Sequence, residues 1–599
     1  MTRSAASRTA PDLRLVALIW LVAVVILVVR ALYGRAGLPF FADTDDAMRM
    51  VMVRDFVAGQ PWYDLTAHRL NTPFGAEIHW SRLVDLPLAA LVLVWTPLVG
   101  ADAALVAAGY CWPMLLLALL LWLSARLALR LVGPEGVLPA LILPVLSPAI
   151  TAEFTPGRVD HHNVVILLTL AVIWTAVESI GRPRFAIACG VLAATALAIA
   201  TESLPILAAA IVVFGLLWVH DPAHKWTMRA FGLSFAAASA LHLAAFRPPA
   251  RWLEPACDVL SPTYVGVVLV VALVFTVASL VPAPRRWWQR LTLLGVSGLL
   301  GLAAVLALYP QCLGGPYGEL DPWLQRNWIA GIVEARPWTT ALFELPAYSV
   351  AVALPTLLAA IVVAWRLWRV PEERLQWAAL LLFLVFTAVV MLAQVRGARL
   401  AIMPAIPAAA WLIVAARARY LARSSIGSIA GLLISWLAFS GVIVSLVVTL
   451  AVNLSPGRAQ QMAAVRLSKE PCLLPDAFRQ LRSMPPQRVM TPVDLGAHLM
   501  LYTGHDVVSA PYHRNAQGVR DTFRFINDPI EVAQTVLEER GISLVVLCPA
   551  MAELQGLPSR APDSFANLYR DGTLPDWLND VTAPGNALQV FAVTLPERP

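Results

Sequence analysis

Apolar residues come in long unbroken blocks along this chain, with few of the short alternations that mark half-buried strands. The first block, Leu13 to Leu32, is about 20 residues, the length a helix needs to cross a hydrocarbon core of roughly 30 Å. It is longer than a signal-peptide core and no small-residue cleavage site follows it, so it reads as a retained span. Further blocks at about 101–125, 136–151, 163–180, 185–201, 204–219, 230–246, 262–282, 291–309, 347–365, 375–393, 400–416 and 426–453 bring the prediction to about thirteen transmembrane helices. A shorter block, Leu86 to Val99, suits a helix lying in the membrane interface. Past Asn453 the pattern changes: ISLVVLCP (Ile542 to Pro549) and ALQVFAVTL (Ala587 to Leu595) read as strands between polar helical stretches. The chain is therefore predicted to be a polytopic α-helical membrane protein over 1–454, with a large first outer loop at 34–100, followed by a C-terminal extracytoplasmic α/β domain over 455–599.

Composition agrees, since 59% hydrophobic and 14% charged residues with a mean hydropathy of +0.70 exclude a soluble globular protein, which carries roughly 25% charged residues. The net charge of +6 falls where topology puts it. With the N-terminus in the cytoplasm, the inner loops hold Arg126 and Arg130, Arg182 and Arg184, Lys225 and Arg229, Arg285, Arg286 and Arg290, Arg366, Arg369 and Arg374, and Arg417, Arg419 and Arg423. Every one is basic, as the positive-inside rule requires of a bacterial inner-membrane protein. The charge thus reads as orientation and not as partner choice; membrane lipids are expected as partners and nucleic acid is not.

This orientation sends three acidic stretches to one side: FADTDDAMRM (Phe41 to Met50), TPGRVDHHN (Thr155 to Asn163) and GGPYGELDPW (Gly314 to Trp323). Carboxylates and histidines converging beside a bilayer form a candidate site. A hard divalent cation, Mg²⁺ or Mn²⁺, held by Asp oxygens and a His nitrogen would account for them. Each stretch alone also fits a plainer role: Asp43, Asp45 and Asp46 as helix caps, Asp160 with His161 and His162 as a capped helix start, Glu319 and Asp321 as turn formers. Likewise TGHDVVSAPYHRN (Thr503 to Asn515) reads either as a solvated loop or as an acceptor contact. Glycine-rich phosphate motifs, zinc-type cysteine spacing and internal repeats are lacking. Cys472 and Cys548 fall in one small domain on the oxidising side, which predicts a disulfide between them.

Order along the chain carries a resemblance. Asp45 to Arg49 after the first span, the His79-Trp80-Ser81-Arg82-Leu83 stretch closing the loop, and Gly157-Arg158-Val159-Asp160-His161-His162 at the mouth of the fourth span together resemble the catalytic subunit of oligosaccharyltransferase. The likeness is to its archaeal and bacterial single-subunit forms, which belong to the GT-C glycosyltransferase superfamily. QVRGARLAIMPAIPA (Gln394 to Ala408) is similar to the family's outer turn, so Arg396 and Arg399 are implied to face the donor's phosphates, although arginines there also suit interface anchoring. Where the family has an aromatic motif that reads the acceptor sequon, this chain has TPVDLGAHL, which keeps Asp494 and Gly496 but none of the tryptophans or the tyrosine. That departure puts a peptide acceptor in doubt and leaves a glycan or a lipid open.

The resemblance implies transfer of a sugar or oligosaccharide from a polyprenyl phosphate or diphosphate to an acceptor at the outer face. Asp45 and Asp46 are the implied catalytic carboxylates. Asp43, Asp45, Asp160, His161, His162 and Glu319 are the candidate metal ligands, and Asp494, Gly496, His79 and Trp80 the candidate acceptor contacts. The long loop from Tyr309 to Pro346, with its paired glycines and three tryptophans, reads as a lid, although tryptophans there also suit membrane-interface anchoring. A transporter or flippase, or a non-catalytic assembly protein for envelope glycans, is the alternative. A transporter would carry charges near mid-span, whereas these cluster at one face.

Overall fold

The computed structural model describes residues 10–34, 38–318, 320–454, 469–555 and 560–595. Eleven of its helices are long and apolar enough to cross a membrane, and Ile426–Leu437 with Gly441–Asn453 form a further pair bent by 93°. The protein is a multi-pass membrane protein.

Ion pairs fix the two ends of the helix bundle. At one end Arg130 meets Glu178 and Glu373, and Arg182 lies 3.6 Å from Glu178. At the other, Asp43, Asp46, Glu153 and Asp160 surround Arg158. Two segments predicted as spans run between these ends although their helices are short. Pro134–Val145 follows directly after Arg130, breaks before Ser147-Pro148 and resumes as Pro148–Glu153, which delivers Glu153 to Arg158. Phe185–Ile199 starts beside Arg182 and ends just before Glu202, which binds His162.

Arg82–Val99 behaves differently, although its 18 residues would suffice to span. Its first turn is pinned at the Arg158 end, because Asp85 takes Arg49 at 2.6 Å and Arg82 at 3.1 Å. Gly100 then hands the chain to Ala101–Leu131, whose Gly109 carbonyl accepts the Gly157 amide at 3.0 Å and whose far end carries Arg130. Both ends of Arg82–Val99 therefore lie on the same side, as the interfacial reading predicted. Against the thirteen spans expected from sequence, the described residues hold eleven helices able to cross a membrane, or twelve if the bent pair is one span, with Pro134–Val145 and Phe185–Ile199 as shorter apolar helices.

The loop after the first span is structured. It contains the helix Thr44–Val57 and a small antiparallel pair, Thr66–Ala67 with Ala76–Glu77. The C-terminal residues build a five-stranded sheet in the order Asp506–Val507, Arg488–Met490, Leu544–Leu547, Gln589–Val593, Leu578–Asp580. The first three strands are parallel, and Gln589–Val593 runs antiparallel to both of its neighbours. This sheet docks on the first loop. Arg69 donates to the carbonyls of Thr503 and Met500 at 2.9 Å each, and the Val507 amide donates to the Arg69 carbonyl at 2.8 Å. The predicted disulfide Cys472–Cys548 is present, and a second joins Cys257 to Cys312.

Candidate active site

The helix Thr44–Val57 starts where sequence chemistry says it should. Asp43 is its N-cap, with Oδ1 accepting the Asp45 amide at 3.1 Å, and Asp45 and Asp46 fill the first turn, where negative charge suits the helix dipole. A second loop is pressed against this turn. Gly157 takes a φ of +93°, and a Cβ there would lie 2.1 Å from the Phe40 carbonyl oxygen, so only glycine lets the two loops approach.

Arg158 is then inserted among four carboxylates. Its guanidinium lies 2.7 Å from Asp43, 2.9 Å from Asp46, 2.8 Å from Glu153 and 2.7 Å from Asp160. The other Asp46 oxygen accepts the amides of Val159 and Asp160 at 2.7 and 3.1 Å. Both oxygens of this fully buried side chain are thus committed to holding the second loop. Asp43 serves as cap and Arg158 partner. The plain capping role and the clustering of charge are both present in the same residues.

Asp45 has a different setting. It faces a cleft of about 220 Å³ shared with His79, Trp80, His161, His162 and Tyr512. Asp45, Asp160 and His162 offer ligand atoms that all lie within 4.8 Å of one another, and His161, His162 and Glu202 form a second such group. The first set, two carboxylates and an imidazole, matches the donors that hard and borderline divalent cations take. The His161 Nδ1 is buried without a hydrogen-bond partner. Glu319 lies outside the described residues.

Charge states follow from these neighbours. Burial, reinforced by Asp43 and Asp160, pushes the Asp45 carboxyl up to about 7. Burial would raise Asp160 as well, but Arg158 and the two histidines hold it well below the ordinary carboxylate value. Burial and the neighbouring His162 push His161 down to about 3, so it is neutral. The site thus pairs a carboxylate that stays ionised with one poised near neutrality.

Arg396 and Arg399 line this cleft and also a neighbouring one of about 520 Å³ that contains Asp43, Arg158 and Tyr348. Arg399 is held at 2.8 Å by Glu153 and at 2.6 Å by Glu334, while one of its terminal nitrogens is buried without a partner. Arg396 lies 3.5 Å from Glu202.

The C-terminal residues close the far wall. Tyr512, 3% exposed, donates to the Thr44 carbonyl at 3.0 Å, and His513 and Arg514 each reach Asp258 at 2.7 Å. The solvated-loop reading of Thr503 to Asn515 is therefore corrected: the strand Asp506–Val507 directs its exit into the cleft. His79 packs 4.6 Å from His513, and Trp80 is covered on one face by Arg49 at 4.1 Å. Asp494 pairs with Lys469 at 2.9 Å, and Gly496 is packed where a Cβ would lie 1.8 Å from the Ser509 carbonyl oxygen. Neither lines the Asp45 cleft among the described residues. The outer loop is tied down, with Trp323 stacked 4.0 Å under Arg520 and 5.5 Å from Phe523. Sequence reasoning passed over Glu153 and Asp258. A lone acid between apolar runs, as at Glu153, is the signal that marks such residues.

No protein-family model matches the sequence, and no curated protein does. Solved structures do. The oligosaccharyltransferase of Archaeoglobus fulgidus tethered to an acceptor peptide with an NVT sequon superposes with a TM-score of 0.63 at 14% identity, covering 97% of this chain and 74% of that one. This chain has the oligosaccharyltransferase fold. The same archaeal enzyme, AglB, solved with an inhibitory peptide and a dolichol-phosphate, gives a TM-score of 0.60 at 14% identity over 98% of this chain and 75% of that one. Its complex with Zn and sulfate gives 0.59 at 14% identity over 92% and 71%. The oligosaccharyltransferase likeness thus runs through both the membrane helices and the C-terminal sheet.

Proposed function

We propose that this protein is a membrane glycosyltransferase that moves a sugar or oligosaccharide from a polyprenyl phosphate or diphosphate to an acceptor at the extracytoplasmic face. One observation carries the reading: Asp45, Asp160 and His162 converge at the mouths of the spans, on a fold shared with an enzyme solved with dolichol-phosphate. The larger cleft, with Arg158, Arg396 and Arg399 on its wall, suits the donor's phosphates, and the smaller one, with His79, Trp80 and Tyr512, suits the acceptor. Arg396 and Arg399 line both, so the scissile bond would sit between them and Asp45.

In this reading Asp45 takes the acceptor's proton, and its raised pKa suits a base working near neutrality. Asp46 and Asp43 hold Arg158 and so fix the loop that presents Asp160 and His162. The unpartnered nitrogen of Arg399 donates to a phosphate oxygen. A divalent cation such as Mg²⁺ or Mn²⁺, held by Asp45, Asp160 and His162, would supply positive charge beside the leaving phosphate. Asp45→Asn, assayed in proteoliposomes with polyprenyl-linked donors, should lower transfer on the order of 10²-fold or more with unchanged abundance. If Asp45→Asn transfers normally while Asp64→Asn does not, the site has been misplaced.

A further inference from the structure

A second polar cleft opens at the opposite end of the bundle. His162–Ser179 begins at the Asp45 site and, at about 1.5 Å per residue, carries Glu178 some 24 Å away. There a cleft of about 590 Å³ is lined by Arg126, Arg130, Arg182 and Arg366 against Glu178, Glu372 and Glu373. The pairing is uneven. Arg130 and Arg182 take up Glu178 and Glu373 between them. Arg366 is 5% exposed, gives one N–H to the Glu372 carbonyl at 3.2 Å, and keeps a buried Nε with no hydrogen-bond partner.

Tryptophans support Arg366 from the apolar side. Arg366 lies 4.2 Å over Trp377 and 5.8 Å over Trp411. An indole face attracts a guanidinium but does not satisfy the N–H donors of Arg366. A buried donor without an acceptor is costly, so the cleft is built for a group rich in oxygen acceptors. Guanidinium forks match phosphate in particular. The position, between helix ends at a membrane interface with Trp411 on the wall, suits a headgroup whose acyl chains stay among the exposed leucines outside.

We propose that this cleft binds the phosphate of an anionic phospholipid from the leaflet opposite the Asp45 site. The test is native mass spectrometry of the full-length protein, with diphosphatidylglycerol, phosphatidylethanolamine and inorganic phosphate as separate arms. The anionic lipid should stay bound at collision energies that strip the zwitterionic one. Arg366→Gln should cut its retention about fivefold, the factor one basic residue contributes at an anionic surface. Arg182→Gln, at a rim position whose side chain is 49% exposed and whose loss leaves the packing intact, should lower it as well. Arg374→Gln, outside the cleft, should not. If Arg366→Gln fails to fold, the Arg182 and Arg374 pair decides. Equal retention of the two lipids, no change in the cleft variants, or binding of inorganic phosphate without lipid retention would each overturn the assignment.

Discussion

At the residue scale the decisive group is Arg158. It neutralises charge that helix capping alone would leave crowded, and its partners Asp46, Glu153 and Asp160 are all buried. Removing one partner of a buried ion network leaves the rest uncompensated, which costs roughly 3–5 kcal/mol. Arg158→Met should therefore lower the thermal midpoint sharply and Arg158→Lys less, as a fluorescence melt in detergent would show. Asp45 gives a pH test. Its carboxyl is pushed up to about 7, against an ordinary value near 4. Because the folded-state value is raised, the stability this group contributes is full at low pH and is lost as pH climbs to about 7. A protonated carboxyl is no metal ligand, so divalent affinity should rise over the same interval. Melts with and without Mn²⁺ at pH 5.5 and 8 should show the larger metal-induced gain at pH 8. Asp45→Asn should flatten the difference.

At the scale of elements, two loops do the positioning. The turn at Gly157 lets the Asp160 loop sit against the Phe40 backbone, and the N-terminal turn of Thr44–Val57 receives it. Gly157→Ala faces both a left-handed φ and a contact at 2.1 Å with backbone that cannot retreat. It should destabilise by more than 1 kcal/mol, the threshold for Ala where φ is positive. Transfer activity should fall in the variant that still folds, whereas Gly59→Ala, with a positive φ but open space around it, should lose some stability and little activity. A melt combined with a transfer assay separates the two.

At the scale of the whole molecule, the C-terminal sheet packs on the loop that follows the first span: His498 bonds to the Phe41 carbonyl at 2.8 Å. We propose that the start of that span faces the opposite side of the membrane. The disulfides Cys257–Cys312 and Cys472–Cys548 both belong to the Asp45 side, which fits an oxidising compartment. Reporter fusions after Arg229 and Arg290 should read as cytoplasmic and one at the C-terminus as extracytoplasmic. A cytoplasmic C-terminus would overturn the orientation on which the function rests.

The sequence by itself determined the membrane class, most of the apolar spans and the Cys472–Cys548 pair. These follow from segment hydropathy and compartment, properties that each stretch carries without its neighbours. It could not divide labour among Asp43, Asp45 and Asp46, since three carboxylates within four positions look alike until one sees which oxygens another loop has taken. Nor could it show that Tyr512 and His513, more than 450 residues beyond Asp45, close the same cleft, or that Asp494 and Gly496 stand outside it. Only the tertiary structure decides such matters, because burial and pairing depend on which segments meet. Arg158 shows this most plainly: in the chain it is one letter between Gly157 and Val159, and in the fold it is the charge that joins its near neighbours Glu153 and Asp160 to the distant Asp43 and Asp46.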